Sequence, residues 1–144
     1  MPRNVVYQGD LDALLAEDAP KTYMDGECAK LPQALTDVGW TGNWLPGPRV
    51  VDLAYLAQGT VIANFVFENG KWKYPNRHFF HACLFYDFGE RIMGGGYRRI
   101  WMIDQWRGKS VDKRYRLAYT PEEAKRSGVK PCDNANEFYV VMVP

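Results

Sequence analysis

The chain has 144 residues, 47% hydrophobic and 15% aromatic, which is typical of one folded globular domain over residues 1–144 and not of a disordered chain. Its 18 basic and 17 acidic residues give a net charge of +1, without the basic excess that nucleic acid binding requires. No apolar run reaches the roughly 18 residues that span a bilayer, and the N-terminus lacks a signal peptide's apolar stretch, so we expect synthesis in the cytoplasm and no membrane insertion.

Three cysteines are present, at positions 28, 83 and 132. No two of them have the C-x-x-C spacing of a zinc site, so we expect no metal and no other cofactor. An odd number leaves at least one free thiol. We predict a disulfide between Cys83 and Cys132, with Cys28 free.

The first third of the chain indicates two helices. Residues 10–16 have helical spacing, with Asp10 as the cap. A second helical stretch, residues 27–35, follows the turn residues 25–26. Pro32 has no N–H and cannot bond back to the carbonyl of Cys28. Either this helix is kinked or its regular part begins later.

The rest of the chain favours strands. Residues 39–49 are rich in Gly and Pro and indicate a loop, and residues 51–57 a short helix. Residues 69–70, Asn-Gly, are a hairpin turn signal. Thr120 caps a short helix that begins with proline. The predicted strands are 60–67, 79–85, 99–106, 114–119 and 138–143. Helices followed by an antiparallel sheet favour an α+β fold.

Cys28 is the candidate nucleophile. With a cap at residue 25 or 26 it falls in the first turn of the predicted helix, where free N–H groups and the helix dipole favour the thiolate. Its own backbone N–H is then a candidate oxyanion donor. The alternative is a buried structural thiol, since free cysteine is among the most buried residue types.

His81 and Asp104 are the candidate base and orienting acid. The chain has only two histidines, and His78 lies at a loop end where substrate contact is expected. A hairpin closed near residues 92–93 places position 81 opposite position 104, within side-chain reach, as in a catalytic triad. Each histidine could instead be a hydrogen-bonded structural residue. The pairs Arg98-Arg99 and Arg114/Arg116 are expected on solvated strand faces.

The order Cys, His and acid is that of a papain-like thiol hydrolase. Trp40 and Trp44, in the loop after Cys28, are expected to wall a substrate groove, while other aromatic residues are expected in the core. Gln105 points to the face opposite Asp104; it is the weaker candidate for orienting His81 and is assigned to substrate contact.

These residues stand in segments that resemble the BPSL-type family of NlpC-like cysteine peptidases, which overlaps the type VI secretion amidase effectors of family 2. The resemblance covers residues 22–143. Its segments are Gly26-Glu27-Cys28, Tyr74-Pro75-Asn76-Arg77, His81-Ala82, Ile100-Trp101-Met102-Ile103-Asp104-Gln105-Trp106 and residues 134–141.

The resemblance implies a papain-like (NlpC-type) fold, with N-terminal helices on an antiparallel sheet, and hydrolysis of peptidoglycan stem peptides at the D-alanyl–meso-diaminopimelate crosslink. Cys28 would be the nucleophile, His81 the base and Asp104 the orienting group. It also implies export by a type VI-like system to a rival's periplasm, and a cognate immunity protein as partner. Two alternatives stay open: cleavage of the γ-D-glutamyl–diaminopimelate bond, and a non-catalytic wall- or protein-binding module.

Overall fold

A computed structural model describes residues 1–144, with nine strands and two short α-helices. Five single-turn 3-10 helices lie between them, at residues 12–15, 41–43, 50–52, 131–133 and 135–137. The α-helices are α1 (Lys30–Leu35) and α2 (Pro121–Ser127). The strands are β1 (Arg3–Asn4), β2 (Leu45–Arg49), β3 (Val61–Ala63), β4 (Val66–Glu68), β5 (Lys71–Lys73), β6 (Ala82–Phe88), β7 (Arg99–Trp106), β8 (Lys109–Leu117) and β9 (Tyr139–Val143).

One seven-stranded sheet organises the chain. Its order is β1-β9-β3-β6-β7-β8, with β2 also paired to β9, and every pairing is antiparallel. The remaining strands, β4 and β5, form a separate hairpin whose turn residues, Asn69 and Gly70, both have positive φ as predicted for Asn-Gly. The chain is therefore a mixed α/β protein with few helical residues and an antiparallel sheet.

Alternate side chains of the central strands pack into two cores, one on each face of the sheet. Ala82 and Leu84 pack with Ile103 in one core, which also receives Leu31 of α1. The neighbouring positions of β6, including Phe85, face the second core. This alternation is the period of two that a strand buried on both faces requires. The two cores hold β6 and β7 rigidly between them.

The α1 helix settles the question raised by Pro32. Regular helix begins at Lys30, and its N-cap is Ala29. Pro32 therefore lies in the first turn, where its missing N–H is tolerated. The carbonyl of Cys28 accepts from the N–H of Leu31 instead, at 3.3 Å. Cys28 precedes the helix, so the prediction that it lies in the first turn is wrong.

Several predicted elements differ in extent from those in the structure. The 39–49 loop contains strand β2, whose prolines are tolerated because it lies at the sheet edge, with a register shift. The 60–67 strand is broken after Ala63, and β8 begins five residues early, at Lys109, after a turn at Gly108. Of the predicted 10–16 helix only residues 12–15 are helical, and of the predicted 51–57 helix only residues 51–52, which belong to the turn 50–52; each is one 3-10 turn.

The predicted disulfide between Cys83 and Cys132 is also wrong, because all three cysteines are free. Cys83 is fully buried in the second core, where its sulfur lies 3.4 Å from that of Met102. Cys132 lies in a partly exposed turn between α2 and β9. No helix of the structure is both long enough and apolar enough to cross a membrane.

Candidate active site

Cys28 opens into a cavity of about 550 Å³ at the end of the sheet where β6 begins and β7 ends. One wall is the segment 74–81, which leads into β6, and another is the turn after β7. The Cys28 sulfur lies 3.4 Å from the Tyr74 hydroxyl and 3.9 Å from the Phe80 carbonyl oxygen. The thiol is thus half-buried, with polar partners on the cavity side.

The loop that carries Cys28 is fixed to β7 by Gln105. The Gln105 side-chain oxygen accepts from the N–H of Tyr23 at 2.7 Å, and its amide donates to the carbonyls of Tyr23 and Glu27 at 3.1 and 2.8 Å. Gln105 is completely buried. It positions the backbone next to the thiol and cannot touch substrate, so its assignment as a substrate contact is wrong.

His81, which directly precedes β6, meets Asp104 of β7. His81 Nε2 lies 2.8 Å from Asp104 Oδ2, and both side chains are buried. The predicted register is wrong, however, because the pairing of Leu84 with Ile103 puts position 106 opposite position 81. Asp104 is a diagonal neighbour of His81, and diagonal side chains of this size reach one another.

Asp104 also binds two arginines. Its carboxylate accepts from Arg114 Nη1 at 2.6 Å and from Arg116 Nη2 at 3.0 Å. The Arg116 side chain is only 10% exposed, and both guanidinium groups lie over the ring of Trp106. The prediction that Arg114 and Arg116 occupy a solvated face is wrong. They neutralise a carboxylate that would be costly to bury alone.

The backbone of His81 is held by Asn64, a residue that the sequence analysis did not single out. Asn64 Oδ1 accepts from the His81 N–H at 2.9 Å, and its amide group donates to the carbonyls of Pro131 and Glu137. Asn64 is fully buried. Its position at the break between β3 and β4 is the only sequence-level trace of this role, because a polar residue there interrupts an apolar strand.

These contacts shift the pKa values of the site in opposite directions. Burial raises the pKa of the Cys28 thiol, but the hydrogen bond and charge of His81, helped by Tyr74 and the Ala82 backbone, outweigh it and lower the pKa. Burial lowers the pKa of His81, yet the bond to Asp104 and the interaction with Cys28 raise it to about 9. The site therefore favours a thiolate beside an imidazolium.

The other two groups have one charge state each near neutral pH. Burial raises the pKa of Asp104. Its hydrogen bond to His81 and the charges of His81 and Arg116 lower the pKa by more than burial raises it, so the carboxylate stays ionised. Burial, and then the Cys28 charge, raise the pKa of Tyr74. The Tyr74 hydroxyl therefore keeps its proton and can donate it in a hydrogen bond to the sulfur.

The remaining predicted substrate contacts fall into two groups. His78 lines the cavity with Cys28. Trp40 is 70% exposed but does not line the cavity. Trp44 is buried, donates its indole N–H to the carbonyls of Val38 and Gly39, and packs 5.1 Å from the Tyr74 ring. Trp44 thus supports Tyr74 from behind and does not wall the groove.

Tyr74 is the cavity residue that sequence reasoning missed. It is buried, as expected for a core aromatic, but its hydroxyl reaches the nucleophile. Its place in the Tyr74-Pro75-Asn76-Arg77 segment was the available signal. No group of three or more His, Cys, Asp or Glu side chains is arranged to hold a metal ion.

Comparison with known proteins gives consistent results. The family model for domesticated amidase effector 2 matches residues 17–141. A type VI secretion amidase effector 2 protein of Salmonella typhi is 29% identical over 136 residues, covering 90% of this chain and 95% of the relative. A solved structure of a type 6 secretion amidase effector 2 (Tae2) superposes with a TM-score of 0.70 at 29% identity, covering 94% of each chain.

Proposed function

Since the chain belongs to the domesticated amidase effector 2 family, we propose that it is a type VI secretion effector that hydrolyses amide bonds of bacterial peptidoglycan with a cysteine nucleophile. The observation that carries the proposal is that Cys28 and His81 line one cavity, with Asp104 buried behind His81 at 2.8 Å. The same proposal takes residues 1–144 as one papain-like domain, because the seven-stranded sheet supports His81 and Asp104 and, through Gln105, holds the loop that carries Cys28.

The first half of the reaction forms a thioester. The Cys28 thiolate attacks the carbonyl carbon of the stem-peptide amide, and the oxygen becomes an oxyanion. Two donors are available to it, the backbone N–H of Cys28 and the Tyr74 hydroxyl. His81 then gives its proton to the amide nitrogen, the C–N bond breaks, and the amine leaves. Asp104 holds the ring and stabilises its charge throughout.

The second half releases the acid. Water attacks the thioester carbon while His81 takes one water proton, and the C–S bond breaks to regenerate the Cys28 thiolate and the imidazolium. The products are a carboxylic acid and an amine. Apart from water and the substrate, these steps use only Cys28, His81, Asp104 and Tyr74.

The amide that we propose is the D-alanyl–meso-diaminopimelate crosslink, on the strength of the sequence resemblance. The alternative is the γ-D-glutamyl–diaminopimelate bond within one stem peptide. Mass spectrometry of digested crosslinked dimers separates them. Monomers with intact tetrapeptides indicate crosslink cleavage, and fragments that end at glutamate contradict it.

The nucleophile is tested with purified sacculi and muropeptide chromatography. We expect Cys28→Ala to keep the fold and release no muropeptides. Cys83→Ala is the matched control, because that thiol is buried in the core outside the cavity, and it should remain active per folded molecule. Activity in Cys28→Ala would overturn the mechanism and favour a role for the chain as a non-catalytic binding module.

An effector of this kind is expected to have a cognate immunity protein. If that partner covers the cavity, its binding should protect Cys28 from iodoacetamide. A neutralising partner that leaves the alkylation rate of Cys28 unchanged would show that it binds elsewhere.

A further inference from the structure

The catalytic cavity is lined by three arginines, which differ in how many hydrogen bonds their guanidinium groups already make to the protein. Arg77 donates to both carboxylate oxygens of Glu68, at 2.7 and 3.4 Å. Arg116 is bound to Asp104 at 3.0 Å and to the Cys132 carbonyl at 2.8 Å. Both guanidinium groups are therefore committed to the protein.

Arg107 is different. It lies in the turn between β7 and β8, and its side chain is 66% exposed. Its only ionic contacts are with Asp25 and Glu27, each at 3.5 Å, which is long for a charge-assisted bond. A guanidinium has five N–H donors, so most of these donors are free to bind water or a ligand, and Arg107 lines the cavity.

The position of Arg107 is set by the nucleophile loop. Asp25 and Glu27 belong to the loop that Gln105 fixes to β7, and Glu27 directly precedes Cys28 in the chain. The two acids hold the guanidinium at the cavity rim near the thiol without filling its donor sites. Aromatic walls, Phe79 and Trp106, line the same cavity and suit the aliphatic parts of a peptide.

We propose that Arg107 is a specificity-determining residue that binds a free carboxylate of the substrate close to the amide that Cys28 attacks. This inference rests on the proposed function, since it takes the substrate to be a stem peptide. Planar guanidinium and carboxylate groups pair through two parallel hydrogen bonds. The carboxylate could belong to the residue that supplies the leaving amine or to one on the acyl side, and the two sources are distinguishable by amidation.

The test uses synthetic crosslinked stem peptides in three forms: all carboxylates free, the leaving residue amidated, or the acyl-side diaminopimelate and glutamate amidated. We expect the wild type to lose roughly tenfold or more in kcat/KM, mainly through KM, for one amidated form. Arg107→Gln should cleave all three forms at about the same reduced rate. Lys109→Gln, which removes one charge from the same hairpin outside the cavity, should discriminate like the wild type.

Two results would overturn the inference: equal cleavage of all three forms by the wild type, or an undiminished preference in Arg107→Gln. A merely structural Arg107 would instead slow the variant on every form, preserve the preference and lower the iodoacetamide reactivity of Cys28. Failure of the proposed function looks different, because the wild type would then cut none of the peptides, and both proposals would be overturned.

Discussion

The charges on Cys28 and His81 depend on neighbours that the fold brings to them. Burial by itself favours a neutral thiol and a neutral imidazole. Asp104, ionised and 2.8 Å from His81, keeps the ring protonated, and the protonated ring and the Tyr74 hydroxyl favour the thiolate. These contacts therefore favour, as the reactive form, an ion pair between sulfur and imidazolium.

The pH dependence of the thiol follows from this pair. Because the pKa of Cys28 is lowered, iodoacetamide should alkylate it at pH values where ordinary thiols are still protonated. Because the pKa of His81 is about 9, kcat/KM should fall above about pH 9, where the ring loses the proton that the leaving amine needs. Alkylation rates measured across pH check the first expectation, and kcat/KM measured across pH checks the second.

The variant His81→Ala is the control for the onset of Cys28 alkylation with rising pH. Without the imidazolium, the onset of alkylation should move up towards the pH of a free cysteine, while Cys83 stays unreactive in both proteins because it is buried. An unchanged onset in His81→Ala would show that His81 does not set the thiol pKa.

The sequence predicted the contact between His81 and Asp104 but not the charges around it. The contact was predictable because a two-residue error in hairpin register keeps both residues on the same face of the sheet. The partial burial of Arg114 and Arg116 against Asp104 was not predictable, because both pack on Trp106 and Arg116 also bonds to the distant 131–133 turn. Trp44 was misplaced for a similar reason, since its burial depends on tertiary contacts with Tyr74.

Among the elements, those with strong local signals were predicted best. Strand β7 has the predicted bounds, and α2 has the predicted Thr120 cap, completed by a capping box with Glu123. Strand β2 was missed because Gly and Pro indicate a loop locally, while its pairing with β9 is a long-range event. The 60–67 strand ends early because the Asn64 side chain bonds to distant backbone groups.

The position of the loop before α1 depends on Gln105. A substitution of Gln105 should therefore lower activity although its side chain does not touch the substrate. Gln105→Ala leaves the Tyr23 N–H without its partner and removes one of the two hydrogen bonds that the Tyr23 and Glu27 carbonyls each accept. An unsatisfied buried donor costs about 1–3 kcal/mol, so the loop should loosen and Cys28 should lose its position. We expect a drop in kcat of tenfold or more, by analogy with misplaced catalytic groups, together with faster proteolysis in residues 17–28.

Gln105→Glu separates hydrogen bonding from packing. A carboxylate can accept from the Tyr23 N–H but cannot donate to the Glu27 carbonyl, so this variant should also lose activity. If Gln105→Glu and Gln105→Ala both keep the wild-type kcat and the wild-type protease resistance, the loop does not need this anchor.

For the α2 helix we predict a change that lowers stability and leaves catalysis unchanged. Thr120 accepts from the Glu123 N–H, and the Glu123 side chain accepts from the Thr120 N–H. Thr120→Ala removes the cap and should lower the free energy of unfolding by about 1 kcal/mol, measured by urea denaturation. Because α2 contributes no residue to the catalytic cavity, kcat should not change. A reduced kcat in the folded variant would contradict this separation.

At the scale of the whole molecule, the buried charges make stability depend on pH. His81 has a folded pKa raised above its ordinary value of 6.5. It therefore stabilises the native state below about pH 6.5, and this contribution is lost as pH rises towards about 9. Cys28 has a lowered pKa, so its contribution is present above the ordinary thiol pKa and is lost as pH falls. The two contributions oppose one another over the same interval.

Removing the Cys28 thiol should therefore leave the pH dependence of stability that His81 causes. In Cys28→Ala, we expect the free energy of unfolding to fall between pH 6.5 and 9, more steeply than in the wild type. The limit is about 3 kcal/mol, since each unit of pKa shift is worth about 1.4 kcal/mol and Cys28 itself supplies part of the shift. Urea denaturation across this interval measures the slope.

The double variant Cys28→Ala/His81→Asn identifies the group responsible. It lacks both members of the ion pair, so its stability should be nearly flat from pH 6.5 to about 8, while Asp104 remains paired with Arg114 and Arg116. Nearer pH 9 the raised pKa values of Cys83 and Cys132 should lower it in every variant. A slope that persists in the double variant would assign the dependence to another group. A flat profile in Cys28→Ala would show that Asp104 alone does not raise the pKa of His81, and that the imidazolium exists only because the thiolate is beside it.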